Sequence, residues 1–393
     1  MSSQDNQSPQ EIERIVTKIN IPEITNYRNE DDMLLFTLKN TNVSIANGLR
    51  RTILSDVPTV VFRTFPYEKN LADFKVNTSQ LNNEILKQRL SCIPIHIVND
   101  KFDINNLEVI VDKKNTTNDM MFVTTKDFKV KDLATDKFVT EEVRDAMFPP
   151  NKITGDYIIF ARLRPKISSE LLAEELSLRA KLTYGNAKES GAFNTVSICT
   201  YQYTPDLVRQ DEMMKDLFDE PIEQEGEGGG DKDIESEKLN WRNHDSERVF
   251  IKDSFDMKIK TVGVFKNEII VKKACEIIVE KLKLIKKEIM DNELVVEKSI
   301  STIPNSFDIT LKNEDYTIGK IIEYVLFKNY FQSGEISYSG FRKNHPHDPD
   351  SVIRIAFDEN EIETTKIYNI IDNCCDIGIE IYNSIRKDII IDV

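Results

Sequence analysis

The chain contains one short segment twice, and this repeat limits the possible folds more than any other feature. Residues 36–54 and 309–327 align without a gap, so that Thr37-Leu38-Lys39-Asn40 falls on Thr310-Leu311-Lys312-Asn313. Each copy reads as a strand tip, a polar turn, a hydroxyl residue placed to cap, and an apolar helix. A supersecondary unit that occurs twice in one chain predicts two half-domains that pack on each other.

The apolar periodicity predicts two helices in each half. Ser44 and Thr317 are the predicted N-caps of the first helix in each half. The stripes of all four helices predict one shared core, in which about twenty aliphatic side chains contribute ~1.5–3 kcal/mol each. The predicted helices cover residues 44–55, 268–290, 317–328 and 361–387. The predicted core residues are Ile45, Leu49, Ile53, Ile277, Ile278, Ile318, Ile322, Val325, Ile370, Cys374 and Ile381.

The remaining segments predict an α+β fold, a pseudo-symmetric dimerisation module within one chain that carries an inserted β-rich domain. Residues 59–194 are rich in strand-like runs. Residues 211–240 hold 12 acidic residues against three lysines, which predicts a solvated linker with a short helix at its start. The predicted divisions are 1–62 with 195–298 for the first half, 63–194 for the inserted domain and 299–393 for the second half.

Net charge and the distribution of cysteines limit the possible classes of function. The net charge of −15 argues against a nucleic-acid surface, because phosphate contacts need clustered lysine and arginine. Met1 to Gln10 is polar, so no signal peptide is expected, and no apolar run is long enough to span a bilayer. The five scattered cysteines fit reduced thiols, which predicts an intracellular protein.

No catalytic constellation is present in the sequence. His345 and His347 flank Pro346, and a turn is the better interpretation than a metal site. Cys374 lies on an apolar stripe, which favours core packing over reactivity. We therefore expect no catalytic residue, no cofactor and no metal. Arg50 and Arg51 alone would indicate only a solvated helix face.

Several ordered blocks resemble the alpha-like assembly subunits of multisubunit DNA-directed RNA polymerases. From Phe307 onward the chain resembles their small partner subunit, through Glu314-Asp315-Tyr316-Thr317-Ile318-Gly319 and the pairs Gly340-Phe341 and His345-Pro346. Tyr316 and Lys320 depart from the usual histidine and asparagine. The alpha-like blocks are Ser44-Ile45-Ala46-Asn47-Gly48-Leu49-Arg50-Arg51, Asp56-Val57-Pro58-Thr59, Asn77-Thr78-Ser79, Gln88-Arg89-Leu90, Leu163-Arg164-Pro165 and Tyr184-Gly185-Asn186-Ala187-Lys188.

The resemblance implies a non-catalytic platform on which the two largest polymerase subunits assemble, together with a small zinc-binding assembly subunit. It implies that Asn47, Arg50, Arg51 and Arg89 dock a large subunit, since guanidinium groups suit bidentate interface contacts. Two subunits that are separate in archaea (the D and L type) and in eukaryotes would be fused here, as in large cytoplasmic DNA viruses. A viral chain would work in the virion and host cytoplasm, and otherwise the nucleus is the alternative. The inserted domain has only Cys92, so the family's metal or iron–sulfur site is expected to be absent.

The sequence leaves two other classes of protein possible. One is a free-standing homodimeric binding or scaffold protein. The other is an independent nucleotide-handling enzyme with its site in residues 59–194, although no phosphate-binding motif supports it.

Overall fold

The structure is a computed structural model that describes residues 20–96, 103–166, 173–218, 230–359 and 361–390. The expectations for Met1 to Gln10 and for the middle of the acidic segment, 219–229, lie outside these residues. The fold is α+β, and it contains two repeated halves and a separate β-rich unit.

The helices and strands have the following bounds. The strands are β1 Glu23–Glu30, β2 Met33–Lys39, β3 Thr59–Phe62, β4 Ala72–Asn77, β5 Leu107–Lys114, β6 Met121–Thr124, β7 Lys129–Asp132, β8 Lys137–Phe138, β9 Ile159–Leu163, β10 Glu175–Gly185, β11 Val196–Pro205, β12 Phe250–Thr261, β13 Val295–Lys298, β14 Ser306–Leu311, β15 Tyr338–Arg342 and β16 Ser351–Ala356. The helices are α1 Val43–Ser55, α2 Asn83–Ser91, α3 Glu141–Met147, α4 Leu207–Phe218, α5 Gly230–Asn240, α6 Asn267–Met290, α7 Tyr316–Leu326 and α8 Thr364–Asp388.

Each half is a four-stranded antiparallel sheet with two helices. The first sheet has the strand order β1-β2-β12-β11, and the second has the order β13-β14-β16-β15. In both sheets the strand that begins the repeat, β2 or β14, lies inside the sheet and leads directly into a helix, α1 or α7. The long helices α6 and α8 complete the two halves.

The turn between strand and helix has the same geometry in both copies. Asn40 and Asn313 occupy equivalent positions and both have a positive φ, 58° and 57°, a conformation that asparagine tolerates better than most residues. The predicted caps Ser44 and Thr317 are wrong. The N-caps are Asn42 and Asp315, whose side chains accept hydrogen bonds from the backbone amides two residues later, at 2.9 and 2.8 Å. Because the true caps also occupy equivalent positions, the error leaves the repeat intact.

One apolar core joins the two halves. It contains buried residues of α1, α6, α7 and α8 as well as the inner faces of both sheets. All the predicted core residues are buried in it except Ile277, which is half-buried, because Ile278 and Cys275 occupy the inner face of α6 instead. Tyr382 of α8 is fully buried in this core, and its hydroxyl donates to the backbone carbonyl of Ile45 at 2.9 Å. This bond ties α8 of the second half to α1 of the first.

The inserted unit has a core of its own. Its main sheet has the order β3-β10-β5-β7-β8, with β4 also paired to β10, and β6 pairs with β9 in a two-stranded sheet. Four phenylalanines pack against one another in this core with ring centroids 5.4 to 6.3 Å apart. They are Phe62, Phe128, Phe148 and Phe160.

Strand pairing differs from two of the predicted boundaries. β3 lies before the boundary at residue 62, but it pairs with β10 of the inserted unit. β13 lies before the boundary at residue 298, but it pairs with β14 of the second half. The physical joints are therefore the turn around Pro58 and the exposed turn at residues 291–293.

The described parts of the acidic segment are helical. They form the end of α4 and the whole of α5, and the second helix was not predicted. No residue of α4 is buried, and the described side chains of α5 are exposed or half-exposed. The helix at residues 211–218 agrees with the short helix predicted at the start of this segment. The helix at residues 230–240 departs from the prediction of a linker there, because like charges placed on a solvated helix repel only weakly in water.

Candidate functional site

The two arginines of α1 face different neighbours. Arg50 folds back along the helix, and its Nε and Nη2 donate to Asn47 Oδ1 at 3.0 and 2.8 Å. Arg51 reaches the second half, where its Nε donates to Thr317 Oγ1 at 3.0 Å and its Nη2 donates to Asp315 Oδ2 at 2.9 Å. Both side chains are partly accessible. Arg51 therefore joins the two halves, which the sequence analysis did not predict.

Arg51 belongs to a group of charges between the halves, which we call the charge cluster: Arg51, Asp56, Lys281, Glu314 and Asp315. Lys281 of α6 lies 2.6 Å from Asp56 Oδ2, at the end of α1, and 3.5 Å from Glu314 Oε2, in the turn before α7. The side chains of Lys281, Asp56 and Glu314 are only 19, 12 and 15% exposed. Three of its five members are thus poorly solvated, Arg51 and Asp315 are 36 and 28% exposed, and the cluster combines residues of both halves.

The cluster shifts the pKa values of its members. Burial raises the pKa of Asp315, but hydrogen bonds from Thr317 and the charge of Arg51 outweigh burial and lower it. Burial alone would lower the pKa of Lys281, yet Glu314 and Asp56 raise it, so the ammonium group stays charged. Burial raises the pKa of Glu314, and Lys281 offsets this shift only in part. By distance, the Lys281 ammonium group lies closer to Asp56 than to Glu314.

Arg89 is an exposed residue of α2 in the inserted unit. Its Nε and Nη2 donate to the backbone carbonyls of Phe160 and Ile159, at 2.8 and 2.7 Å. These bonds hold α2 against β9. The structure therefore does not bring Arg89 together with Asn47 and Arg50, and it gives Arg89 a bracing contact inside the inserted unit.

Sequence reasoning missed two features that bear on assembly. The first is the pairing of Lys281 with Glu314, for which the sequence offers no local signal, because Lys281 lies in the middle of one predicted helix and Glu314 precedes another. The second is a pair of aromatic side chains beside Pro66 in the inserted unit. Phe65 and Tyr67 are 78 and 83% exposed, and aromatic residues of this kind are enriched at protein interfaces.

The histidines and cysteines show no assembled metal site within the described ranges. His345 and His347 are exposed neighbours in a turn, and the backbone amide of His347 donates to His345 Nδ1 at 3.1 Å. Cys374 and Cys375 are both fully buried, so the apolar stripe covers the second thiol as well. Burial raises the pKa of Cys375 to about 12. In the described part of the chain no cluster of three or more histidine, cysteine, aspartate or glutamate side chains could hold a metal ion.

None of the helices within the described residues is long and apolar enough to cross a lipid bilayer.

The fold defines a protein in which two repeated strand–helix halves share one apolar core. Residues 35–282 match the RNA polymerase Rpb3/Rpb11 dimerisation domain, and because this match covers more than half of the chain, the chain belongs to that family.

Curated relatives are similar to part of the chain. Subunit 3B of DNA-directed RNA polymerases IV and V of Arabidopsis thaliana is 31% identical over 212 residues, which cover 49% of this chain and 60% of the relative. RNA polymerase II subunit rpb3 of Dictyostelium discoideum is 27% identical over 216 residues, which cover 52% of this chain and 65% of the relative. Subunit Rpo3 of Pyrococcus furiosus is 39% identical over 80 residues, which cover 20% of this chain and 28% of the relative. The chain thus spans less than two thirds of the length of these relatives.

Proposed function

We propose that this chain is a non-catalytic assembly subunit of a DNA-directed RNA polymerase, on which the two largest subunits assemble for transcription. One observation carries the proposal: the family's dimerisation domain, residues 35–282, shares a single buried core with a second copy of the same strand–helix unit. A module whose halves are already paired presents a rigid, preformed surface to larger partners. Such preorganisation lowers the entropic cost of binding.

We propose further that the second half, from about residue 292 to 393, takes the place of the small partner subunit. The family match ends at residue 282, so this assignment depends on the repeat. Its support is the shared geometry of the two copies, including equivalent caps at Asn42 and Asp315 and equivalent turns at Asn40 and Asn313. The pairing would then be intramolecular and one-to-one.

The proposed docking surface for a large subunit is centred on Asn47 and Arg50. These side chains bond each other, no hydrogen bond joins them to a described residue of the second half, and both are half-buried. Arg50 has donors beyond those bonded to Asn47 and keeps its fork available to a carboxylate or carbonyl. We assign Arg51 chiefly to the pairing of the halves, and Arg89 to the inserted unit. The second half has Glu323 in place of Arg50, so it would meet the other large subunit.

We also propose a small zinc-binding assembly subunit as a partner, and we do not expect this chain to bind nucleic acid. The fusion also motivates a proposal about origin, because a fused pair resembles the arrangement in large cytoplasmic DNA viruses. A viral chain would be intracellular, in the virion and the host cytoplasm.

A free-standing homodimeric scaffold is less well supported, because the repeat already supplies a partner within the chain. A nucleotide-handling enzyme has no motif in its favour.

Affinity purification of the full chain with mass spectrometry tests the proposal. We expect two very large polymerase subunits among the captured proteins. Arg50→Ala should leave the chain folded by circular dichroism and reduce capture of one large subunit. Arg28→Ala is the matched control, because Arg28 is an exposed arginine whose ion pair among the described residues is with Glu30 on the same strand. Wild-type capture by the Arg50 variant would show that Arg50 is a solvated residue, and the absence of both large subunits would refute the assembly role.

A further inference from the structure

The two copies of the repeat meet about a pseudo-twofold axis. Gly48 of α1 and Ile321 of α7 hold the same position in the two copies, and a Cβ added to Gly48 would lie 3.1 Å from Ile321 Cδ1. Equivalent residues therefore meet where the helices cross, as they do at a twofold axis. Each contact on one side of the crossing has an image on the other side, and the two can be compared residue by residue.

The image of the Arg51–Asp315 contact has no charge. The residue equivalent to Arg51 is Tyr324, and the residue equivalent to Asp315 is Asn42. Both Asn42 and Asp315 cap their helices, so the difference between them does not serve the cap. The carboxylate of Asp315 faces the guanidinium group of Arg51. The amide of Asn42 lies on the other side of the axis, where α7 carries Tyr324.

The second carboxylate of the charge cluster follows the same rule. Glu314 contacts Lys281, and its equivalent in the first half is Thr41, whose hydroxyl is buried without a hydrogen-bond partner among the described residues. At the crossing of α1 and α7, the ion pairs of Asp315 and Glu314 therefore have no charged image across the axis. The long helices α6 and α8 are joined by other ion pairs, Lys286 with Asp376 and Glu276 with Arg386. Removing one partner would leave the opposite charge unpaired in a partly desolvated place, since Arg51 and Asp315 are 36 and 28% exposed and Glu314 is 15% exposed, and this is costly.

We infer that the charge cluster selects the pairing partner, so that the first half binds the second half in preference to a copy of itself. In a pair of two first halves, Arg51 would face Asn42 on both sides of the axis. In a pair of two second halves, Asp315 would face Tyr324 on both sides. Each wrong pair leaves charges without partners, and the penalty for those charges provides specificity. The inference rests on the repeat and its contacts and does not depend on the polymerase role.

The test separates the halves after the whole chain has folded. A protease site is inserted in the exposed turn at residues 291–293, between α6 and β13, and is cut in the folded protein. Cutting removes the tether, which otherwise gives the halves an effective concentration in the millimolar range. Native mass spectrometry then counts heteropairs and homopairs of the two fragments, and dilution gives the dissociation constant. We expect the cut wild-type chain to contain heteropairs only.

Two variants should permit opposite wrong pairs. Glu314→Thr with Asp315→Asn gives α7 the residues that α1 carries, and asparagine preserves the cap. We expect this variant to raise the heteropair dissociation constant about tenfold, through loss of charge-assisted bonds, and to allow homopairs of the second-half fragment. Asn42→Asp also preserves a cap, but it supplies a carboxylate for Arg51 of another first half. It should allow homopairs of the first-half fragment.

Arg50→Ala is the control, since Arg50 lies on the same helix and touches no residue of the second half. It should leave both the dissociation constant and the heteropairs unchanged. Circular dichroism before cleavage checks folding, and Arg51→Tyr, which gives α1 the residue of α7, replaces the double variant if that variant does not fold. Exclusive heteropairs with wild-type dissociation constants in all of these variants would overturn the inference.

Discussion

Replacing Gly48 with alanine tests how closely the two halves meet. An added Cβ would lie 2.7 Å from Tyr382 Oη, and Tyr382 is fully buried and bonded to the Ile45 carbonyl, so its ring has little room to retreat. Overpacking of this kind costs ~1–3 kcal/mol. Alanine in a helix interior recovers ~1 kcal/mol relative to glycine, so we expect a net loss of about 1 kcal/mol in the free energy of unfolding. The measurement is urea denaturation followed by far-UV circular dichroism, in which the helices of the paired halves dominate.

Tyr382→Phe completes a double-mutant cycle with Gly48→Ala. Alone it removes the bond to the Ile45 carbonyl and should cost ~1 kcal/mol. In the double variant the added methyl group occupies the space of the missing hydroxyl, so the double variant should be more stable than the sum of the single effects predicts, by ~1 kcal/mol. Gly191→Ala is a control because an added Cβ there meets no atom within 4 Å. Additive effects, or a Gly48→Ala variant more stable than wild type, would refute the close contact.

Three further predictions concern other parts of the chain. Hydrogen bonds from Arg354 hold the pKa of Asp308 below its usual value. The pair therefore stabilises the fold above the ordinary pKa of aspartate, and its contribution is lost as the pH falls through the lowered value. Asp308→Asn should cost ~1–2 kcal/mol at neutral pH and flatten the acid branch of a pH–stability curve. Replacing residues 222–236 with a Gly/Ser linker should change the melting temperature by less than about 2 °C, since no described side chain there is buried, and a drop of many degrees would contradict this. Iodoacetamide should label only Cys92 in the native chain, because the other four thiols are buried, and mass spectrometry of the labelled peptides decides it.

The helices and the shared core could be predicted from the sequence because their signal is periodic and redundant. The prediction for residues 268–290 differs by one residue from α6, Asn267–Met290. Losing one apolar position from such a pattern, as with Ile277, does not change which face is buried. Single polar contacts have no such redundancy. Asn42 and Ser44 are both good N-cap residues, and the sequence pattern alone does not show that Asn42 is the one whose side chain accepts from the helix backbone.

The edges of the inserted unit could not be predicted from the sequence. Its β-rich character follows from composition, but its edges depend on which strands pair over long distances. β3 is adjacent to α1 in the chain, and it joins the inserted sheet only because β10, more than a hundred residues later, lies beside it. Tyr382 is similar. Its burial depends on the absence of a side chain at Gly48, on another element of the other half.

Arg50 and Arg51 show why adjacent residues need separate roles. Successive residues on an α-helix point about 100° apart, since a turn takes about 3.6 residues. When one side of α1 packs against α7, only one of two neighbouring arginines can reach that helix, and the structure places Arg51 there, against Asp315. Arg50 points to the remaining accessible side. The docking role proposed for the pair therefore divides into two: we propose that Arg51 selects the half bound inside the chain and that Arg50 stays available to a partner outside it. The two single variants separate these roles, whereas the double variant would confound a loss of pairing with a loss of docking.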